Sequence, residues 1–285
     1  MILKNRFIKK KKTATSKVTS KLRNNTIEEI QEGAIYASVA PCNQNLLKEW
    51  KCQSCLLVPN NVFVTSFYSH KMEVFAILVK DEQENIFRLI FRGSTTLTNQ
   101  FMNYLFQSTP LDSNSPSLKV HLGYKMSIDS VSQNIISKLA DLYKQEQYKN
   151  YKLKLYGHSL GGALASLMIL DIQSKLQLNE DKLYLFTYGQ PRVGNYEFVQ
   201  NFNSHQFHSS RVANYYDEVP RFPSYIVYNY IHFNNEIFID KDGNAIQCDS
   251  SYFEDPDCSQ KVSIAYLSRD THKEYFINFN HRNVC

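Results

Sequence analysis

Residues 157–162 read Gly-His-Ser-Leu-Gly-Gly, between an alternating run, Tyr151-Lys-Leu-Lys-Leu-Tyr156, and an Ala/Leu-rich run over residues 163–174. The first run has the period of a strand and the second that of a helix, so a strand must become a helix within a few residues. A G-x-S-x-G sequence in that setting is a nucleophile elbow. The turn thrusts the serine oxygen outward on a strained backbone. Gly157 and Gly161 leave out the side chains that would collide where strand and helix pack. The positive end of the new helix points at Ser159, where negative charge would develop during acyl transfer. The plainer alternative is an ordinary glycine turn.

Patterns on either side describe the frame around the elbow. Thr26-Ile-Glu-Glu29 is a capping box that opens a helix to about Ala40. Residues 72–79 and 86–91 are apolar runs separated by the polar stretch 80–85, which reads as a strand hairpin. Residues 107–118, rich in Ser, Pro and Asn, read as a loop. Ile128, Val131, Ile135, Leu139 and Leu142 step by three and four along one helix face. Residues 183–188 and 211–216 read as further strands, ending at Gly189-Gln-Pro and at Asp217. Strands alternating with helices imply an α/β fold with a mostly parallel, helix-covered sheet. With no internal repeat or linker, residues 26–285 read as one domain.

The net charge of +5 belongs to the first 25 residues, which hold nine Lys/Arg and no acid; the remainder carries 23 basic against 27 acidic residues. The body therefore has no nucleic-acid footprint. No run approaches the length of a membrane-spanning helix. The basic segment lacks the apolar stretch of a signal peptide. Its composition fits a disordered extension first, then a transit peptide or a misassigned start. The six cysteines, Cys42, Cys52, Cys55, Cys248, Cys258 and Cys285, cluster at the two ends of the body. An even count around a cysteine-free middle reads as disulfide staples in an oxidising compartment, with fifteen pairings open. Cys52-Gln-Ser-Cys55 would also suit a redox or zinc site, although no clear helix follows it and no second C-x-x-C exists.

A serine nucleophile needs a base, and the base an orienting acid. On this architecture they follow in the order Ser, acid, His. Asp217, at the carboxyl end of a strand and before Val219-Pro220, is the best acid; Asp240, Asp242, Asp249, Asp255 and Asp257 fit less well. Of the later histidines, His272 in a polar loop is favoured as base over His232, which lies in the strand-like run Tyr230-Ile-His-Phe. His281 is close to the end. The backbone N–H of Leu160 is one oxyanion donor. Gly93-Ser94, after the strand ending at Phe91, offers the second.

Phe91-Arg-Gly-Ser94, His121-Leu-Gly-Tyr124, Gly157–Gly162, Thr187-Tyr-Gly-Gln-Pro-Arg-Val-Gly-Asn195, Asp217-Glu-Val-Pro-Arg-Phe-Pro223 and Asp270-Thr-His-Lys-Glu-Tyr-Phe276 occur in this order. Together they closely resemble the fungal-type triacylglycerol (class 3) lipases over roughly residues 27–285. The resemblance implies an α/β-hydrolase fold, with Ser159 as nucleophile, Asp217 as acid, His272 as base, and Ser94 with Leu160 as the oxyanion hole. It demotes His232, and with it Glu236, to a structural segment. His121 and His158 match positions that shape the site without taking the proton. It implies the pairs Cys42–Cys285, Cys52–Cys55 and Cys248–Cys258, and a secreted or lumenal setting.

Residues 95–106 then correspond to a short lid helix. Leu97, Phe101 and Leu105 recur every four residues, with Met102 and Phe106 beside them, as in an amphipathic helix. Such a helix would hide its apolar side when closed and show it to lipid when open. The alternative is an ordinary packing helix. The family often has Trp after the asparagine of this segment; here Gln100 follows Asn99, which argues for weaker interfacial activation. The resulting expectation is a triacylglycerol lipase that meets its substrate at an oil–water or membrane interface, with no metal or organic cofactor. Phospholipase A1 and feruloyl-type esterase activities share every catalytic part. An inactive lipid-binding homologue would carry a damaged triad, and a disulfide oxidoreductase would carry free thiols.

Overall fold

Alternation of period two along the strands decides which side of a central sheet each apolar residue covers. In the computed structural model, which describes residues 24–94, 107–280 and 284–285, the strands are β1 (Val62–Ser69), β2 (Val74–Asp81), β3 (Ile86–Phe91), β4 (Ser108–Pro110), β5 (Lys119–His121), β6 (Lys152–His158), β7 (Leu183–Tyr188), β8 (His208–Asn214), β9 (Glu236–Ile239), β10 (Ala245–Gln247), β11 (Glu274–Tyr275) and β12 (Ile277–Asn278). The helices of four residues or more are α1 (Asn24–Val39), α2 (Gln44–Lys48), α3 (Gln53–Leu57), α4 (Leu122–Tyr143), α5 (Leu160–Leu176), α6 (Tyr196–Ser204) and α7 (Tyr225–Tyr228). Eight strands form the sheet in the order β1-β2-β3-β6-β7-β8-β9-β10. From β3 to β9 every neighbour is parallel; β2 and β10 run against their neighbours.

Val74, Ala76 and Leu78 of β2, Phe87, Leu89 and Phe91 of β3, Leu153 and Leu155 of β6, and Leu183 and Leu185 of β7 enter one core, covered by α4 and α5. The residues between them, including Phe75, Ile77, Val79, Ile90, Tyr156 and Phe186, enter a second core, which α1 covers with Ile30, Ala34 and Ala37. Helix α5 is buried continuously from Leu160 to Leu170, as expected of a helix apolar on all sides. Each such Leu or Ile side chain contributes roughly 1.5–3 kcal/mol on burial. Arg88 interrupts the apolar β3 but is matched inside the second core: Asp81 and Asn61 accept from its guanidinium at 3.1 and 2.9 Å, and the Tyr36 ring lies 4.5 Å below it.

Several boundaries differ from the sequence expectation. The first helix begins at Asn24, two residues before the capping box. Strand β1 is a half-exposed edge strand whose weak alternation gave no signal. Residues 108–110 of the expected loop pair with β5. The strand before Asp217 stops at Asn214, and a turn closed by the Asp217 N–H on the Asn214 carbonyl (3.2 Å) carries the chain to the acid. The run Tyr230–Phe233 is not a strand; its one ladder contact is a bridge from Ile231 to Gly194. A short helix, α3, starts inside the C-x-x-C segment, where none was expected. Residues 1–23, 95–106 and 281–283 lie outside the described residues. They include the basic segment, the lid positions Leu97, Phe101, Met102, Leu105 and Phe106, and His281.

All six cysteines are paired, as Cys42–Cys285, Cys52–Cys55 and Cys248–Cys258. Cys52 and Cys55 are fully buried, unlike thiols that exchange with a partner. The first pair spans 243 residues and fastens the turn after α1 to the last residue. Closing so long a loop restricts the unfolded chain most. The double variant Cys42→Ser/Cys285→Ser should therefore lose about 2–5 kcal/mol in denaturant unfolding, with the slope of the transition showing whether the unfolded state expanded.

Candidate active site

Ser159 stands between β6 and α5 with φ 57° and ψ −127°, a conformation that costs a non-glycine residue about 1–3 kcal/mol. Its N–H donates to the Tyr188 carbonyl at 2.8 Å, and its carbonyl accepts from Gly162 at 3.0 Å, so β7 and the first turn of α5 hold the strained backbone from both sides. A Cβ on Gly157 would lie 2.2 Å from the carbonyl carbon of Gly161. Strand and helix can touch there only because Gly157 carries no side chain, and a Cβ on Gly161 would in turn lie 2.3 Å from the Phe91 carbonyl oxygen at the end of β3. The segment after β3 lies against the same corner: a Cβ on Gly93 would come 2.9 Å from the His158 carbonyl and 3.5 Å from the Ser159 Cβ. Ser94 follows it, half-buried, and Leu160 supplies the first N–H of α5.

The structure brings Asp217 and His272 together although 55 residues separate them. His272 Nδ1 donates to Asp217 Oδ2 at 2.8 Å. The Val219 N–H donates to the other carboxylate oxygen, Oδ1, at 2.8 Å, and the Tyr275 hydroxyl makes a short bond to Oδ2. Three donors thus converge on a carboxylate that is 2 % exposed, as a buried acid requires. Since Nδ1 carries the proton, the imidazole presents a lone pair at Nε2. That nitrogen is buried and has no hydrogen-bond partner among the described residues. No hydrogen bond joins it to Ser159. The two remain neighbours across one corner. Gly189, next to the Tyr188 carbonyl that takes the Ser159 N–H, would with a Cβ come 2.9 Å from both His272 Cε1 and Asp217 Oδ2. Residues 270–273 form a 3-10 turn with His272 buried, rather than an open loop.

His232 is occupied elsewhere. Its Nε2 donates to the Pro220 carbonyl at 2.7 Å, and burial, followed by the charge of Arg211, holds its imidazole well below the usual range. His121 caps α4, accepting from the Tyr124 N–H at 3.4 Å, and burial lowers it to about 4. Asp240 accepts from the Asp242 and Asn244 N–H groups within a hairpin turn, and Asp255 from those of Asp249 and Asp257. Glu236, Cys248 and Cys258 form the one group of metal-capable side chains among the described residues. Both sulfurs are in a disulfide and Glu236 is paired with Arg211 at 2.7 Å, so no ligand is free.

Two features of the site escaped the sequence reading. Tyr275, quoted above only within the motif Asp270–Phe276 and given no role, puts its hydroxyl on Asp217. The acid loop also rests on a charged strut: Glu254 binds Arg192 through two bonds of 2.6 and 2.8 Å, and accepts from the His232 N–H at 2.9 Å. Arg192 in turn donates from its side chain to the carbonyls of Arg221 and Pro223, and from its N–H to that of Phe222. Arg192 lies in the Gly-Gln-Pro-Arg stretch after β7, and Glu254 had no sequence signal at all.

The family model for class 3 lipases matches residues 88–226, which include Ser94, Ser159 and Asp217. A lipase of Rhizomucor miehei is 29% identical over 229 residues, covering 80% of this chain and 62% of its own length. A secreted mono- and diacylglycerol lipase of Fusarium solani is 31% identical over 180 residues, covering 63% of this chain and 51% of its own. The chain thus spans less than two thirds of these curated relatives. A solved triacylglycerol lipase, described as having a serine-protease triad as its catalytic centre, superposes with a TM-score of 0.83 at 27% identity, over 92% of this chain and 98% of its own.

The strut predicts how the fold responds to acid. Burial alone would raise the Glu254 carboxyl, but the charge and hydrogen bonds of Arg192 outweigh it and hold it at about 2. Between that value and the usual 4.5 the unfolded chain binds the proton and the native one does not, so the stabilisation is present above pH 4.5 and is lost as pH falls toward 2. Glu254→Gln should melt below the wild type at pH 7, and the gap should close on acidification toward pH 2; melting curves of both proteins across that range check it.

Proposed function

We propose that this chain, whose residues 88–226 match the class 3 lipase model, is a lipase of that family: a serine carboxylic-ester hydrolase that cleaves long-chain acyl glycerides through an acyl-enzyme. The observation that carries the proposal is the constellation at the elbow. A serine with φ 57° adjoins an imidazole whose Nδ1 is held by Asp217 at 2.8 Å and whose Nε2 has no partner among the described residues.

In the first half-reaction, Ser159 Oγ attacks the ester carbonyl while His272 Nε2 takes its proton. Asp217 keeps the proton on Nδ1 and compensates the imidazolium that forms. The tetrahedral oxyanion is received by Leu160, at the positive end of α5, and by Ser94; each such donor contributes about 2.7–4 kcal/mol to transition-state stabilisation. Collapse expels the alcohol, which takes the proton back from His272. Water, deprotonated by the same nitrogen, then attacks the acyl group on Ser159 and releases the fatty acid. Every proton moves between named groups, so the cycle calls for no cofactor.

Long-chain substrate is supported by the surface beside the triad. Phe222, Ile226 and Val227 follow Asp217, and Ile264 and Tyr266 precede His272; they are between 52% and 81% exposed, and no charged residue lies within 222–228 or 262–268. An uncharged apolar rim beside the acid and base suits a lipid surface better than a soluble polar ester. The lid role of residues 95–106, with Leu97, Phe101, Met102, Leu105 and Phe106 toward the acyl chain, belongs to the same proposal. No described helix is long and apolar enough to cross a membrane. Three disulfides and no free cysteine support a secreted or lumenal setting.

Hydrolysis of p-nitrophenyl esters from acetyl to palmitoyl tests the reading. The expected result is turnover that rises toward long chains, falls on the order of 10⁴–10⁶-fold in Ser159→Ala, and falls roughly 10⁴-fold in Asp217→Asn, which leaves the imidazole in the wrong tautomer. A preference for acetyl esters would remove the lipase assignment, and turnover that survives Ser159→Ala would remove the serine mechanism.

A further inference from the structure

Asp217 fixes His272 relative to the acid, but catalysis needs His272 fixed relative to Ser159. The hydrogen bonds of the base segment mostly do the former. Ser268 N–H donates to the Tyr216 carbonyl at 2.7 Å, Arg269 pairs with Glu218 at 2.9 Å, and His272 Nδ1 is on Asp217. Among the described residues one hydrogen bond crosses instead from the base segment to the elbow strand. It is from His158 Nε2 to the His272 backbone carbonyl, at 2.6 Å. His158 is the residue immediately before Ser159, so this bond ties the backbone of the base to the chain position beside the nucleophile.

We propose that His158 is a positioning residue for the acyl-transfer reaction, holding the His272 backbone at working distance from Ser159 through its Nε2–H. A carbonyl only accepts, so a proton must sit on Nε2; in the neutral ring the lone pair is then on Nδ1. The surroundings enforce that state. The ring is stacked on Phe279 at 4.3 Å and lies against His272 at 4.4 Å and Tyr275 at 5.9 Å. Burial, and then the neighbouring His272, keeps it well below the usual histidine range. The ring therefore does two separable things: it fills the space between Phe279 and His272, and it donates one hydrogen bond. His272 makes no hydrogen bond to Ser159 in this structure, so the Nε2–Oγ distance is set by backbone ties of this kind. An error of about 1 Å in that distance can cost about 100-fold in rate.

The inference rests on the ester-hydrolase reading, and the test separates the two. His158→Phe keeps the ring and removes the donor; His158→Gln removes the ring and keeps a donor nitrogen at similar reach. Both are compared with wild type for kcat and KM on a p-nitrophenyl ester, and for the rate at which diethyl p-nitrophenyl phosphate phosphorylates Ser159. The phosphate ester reacts with any base-activated serine, whatever the acyl preference. Expected are a fall of roughly 10–100-fold in kcat and in phosphorylation rate for His158→Phe with KM within about twofold, and substantial recovery in His158→Gln. Equal losses in both variants, or a His158→Phe rate within about threefold of wild type, would overturn the positioning role. Wild type that is not phosphorylated at Ser159 would overturn the esterase reading itself. If near-ultraviolet circular dichroism shows His158→Phe unfolded, His158→Asn, too short to reach the carbonyl, replaces it under the same criteria.

Discussion

The structure depends on holding one serine in a backbone conformation that L-residues avoid. At φ 57° Ser159 is strained by about 1–3 kcal/mol, and nothing within the elbow itself repays that. The compensation is spread over neighbours. Tyr188 takes the serine N–H, α5 is buried without a break from Leu160 to Leu170, and the missing side chains of Gly157 and Gly161 let α5 approach β6 and the end of β3. A parallel sheet covered on both faces is well suited to this, because β6 is flanked by β3 and β7 and cannot relax sideways. The strain places the hydroxyl at the carboxyl edge of the sheet, where the segments after β3, β7 and β8 also arrive.

Asp217 and His272 arrive at that edge on longer, irregular segments, which need their own supports. These are charged rather than apolar. Arg192 with Glu254 lies under the loop that follows Asp217, and Arg211 with Glu236 under the segment beyond β8. Buried ion pairs contribute little net stability once their desolvation is counted, but breaking one is costly because it strands a charge. Their value here is directional: the Arg192 side chain reaches the Arg221 and Pro223 carbonyls, which no apolar side chain could satisfy. The Cys248–Cys258 disulfide lies beside the Arg211–Glu236 pair and closes the same region.

What could be read in advance followed from range. The elbow was legible because a strand period, a glycine-flanked serine and a helix period are consecutive, and each is a local steric fact. Strands β2, β3 and β7 were legible as short apolar runs and β6 by its alternation, whereas β1 was not, since an edge strand with half-exposed residues carries a weak pattern. The choice between His232 and His272 rested on neighbouring polarity, which is poor evidence; their hydrogen bonds separate them, one spent on Pro220 and the other on Asp217. Tyr275 shows the same limit. A tyrosine in an apolar run reads as core, and it is core, yet its hydroxyl completes the shell around the acid.

The sequence by itself determined the apolar runs of the central strands, the mostly parallel, helix-covered character of the sheet and the location of the strained serine. All three are consequences of backbone sterics and apolar patterning within a few residues. Only the tertiary structure decided which histidine meets which aspartate, which hydroxyl joins them, which arginine carries the acid loop and which cysteines pair. Those are contacts between residues tens to hundreds of positions apart. Their geometry is set by how strand ends converge on one sheet edge, a property that no local window contains.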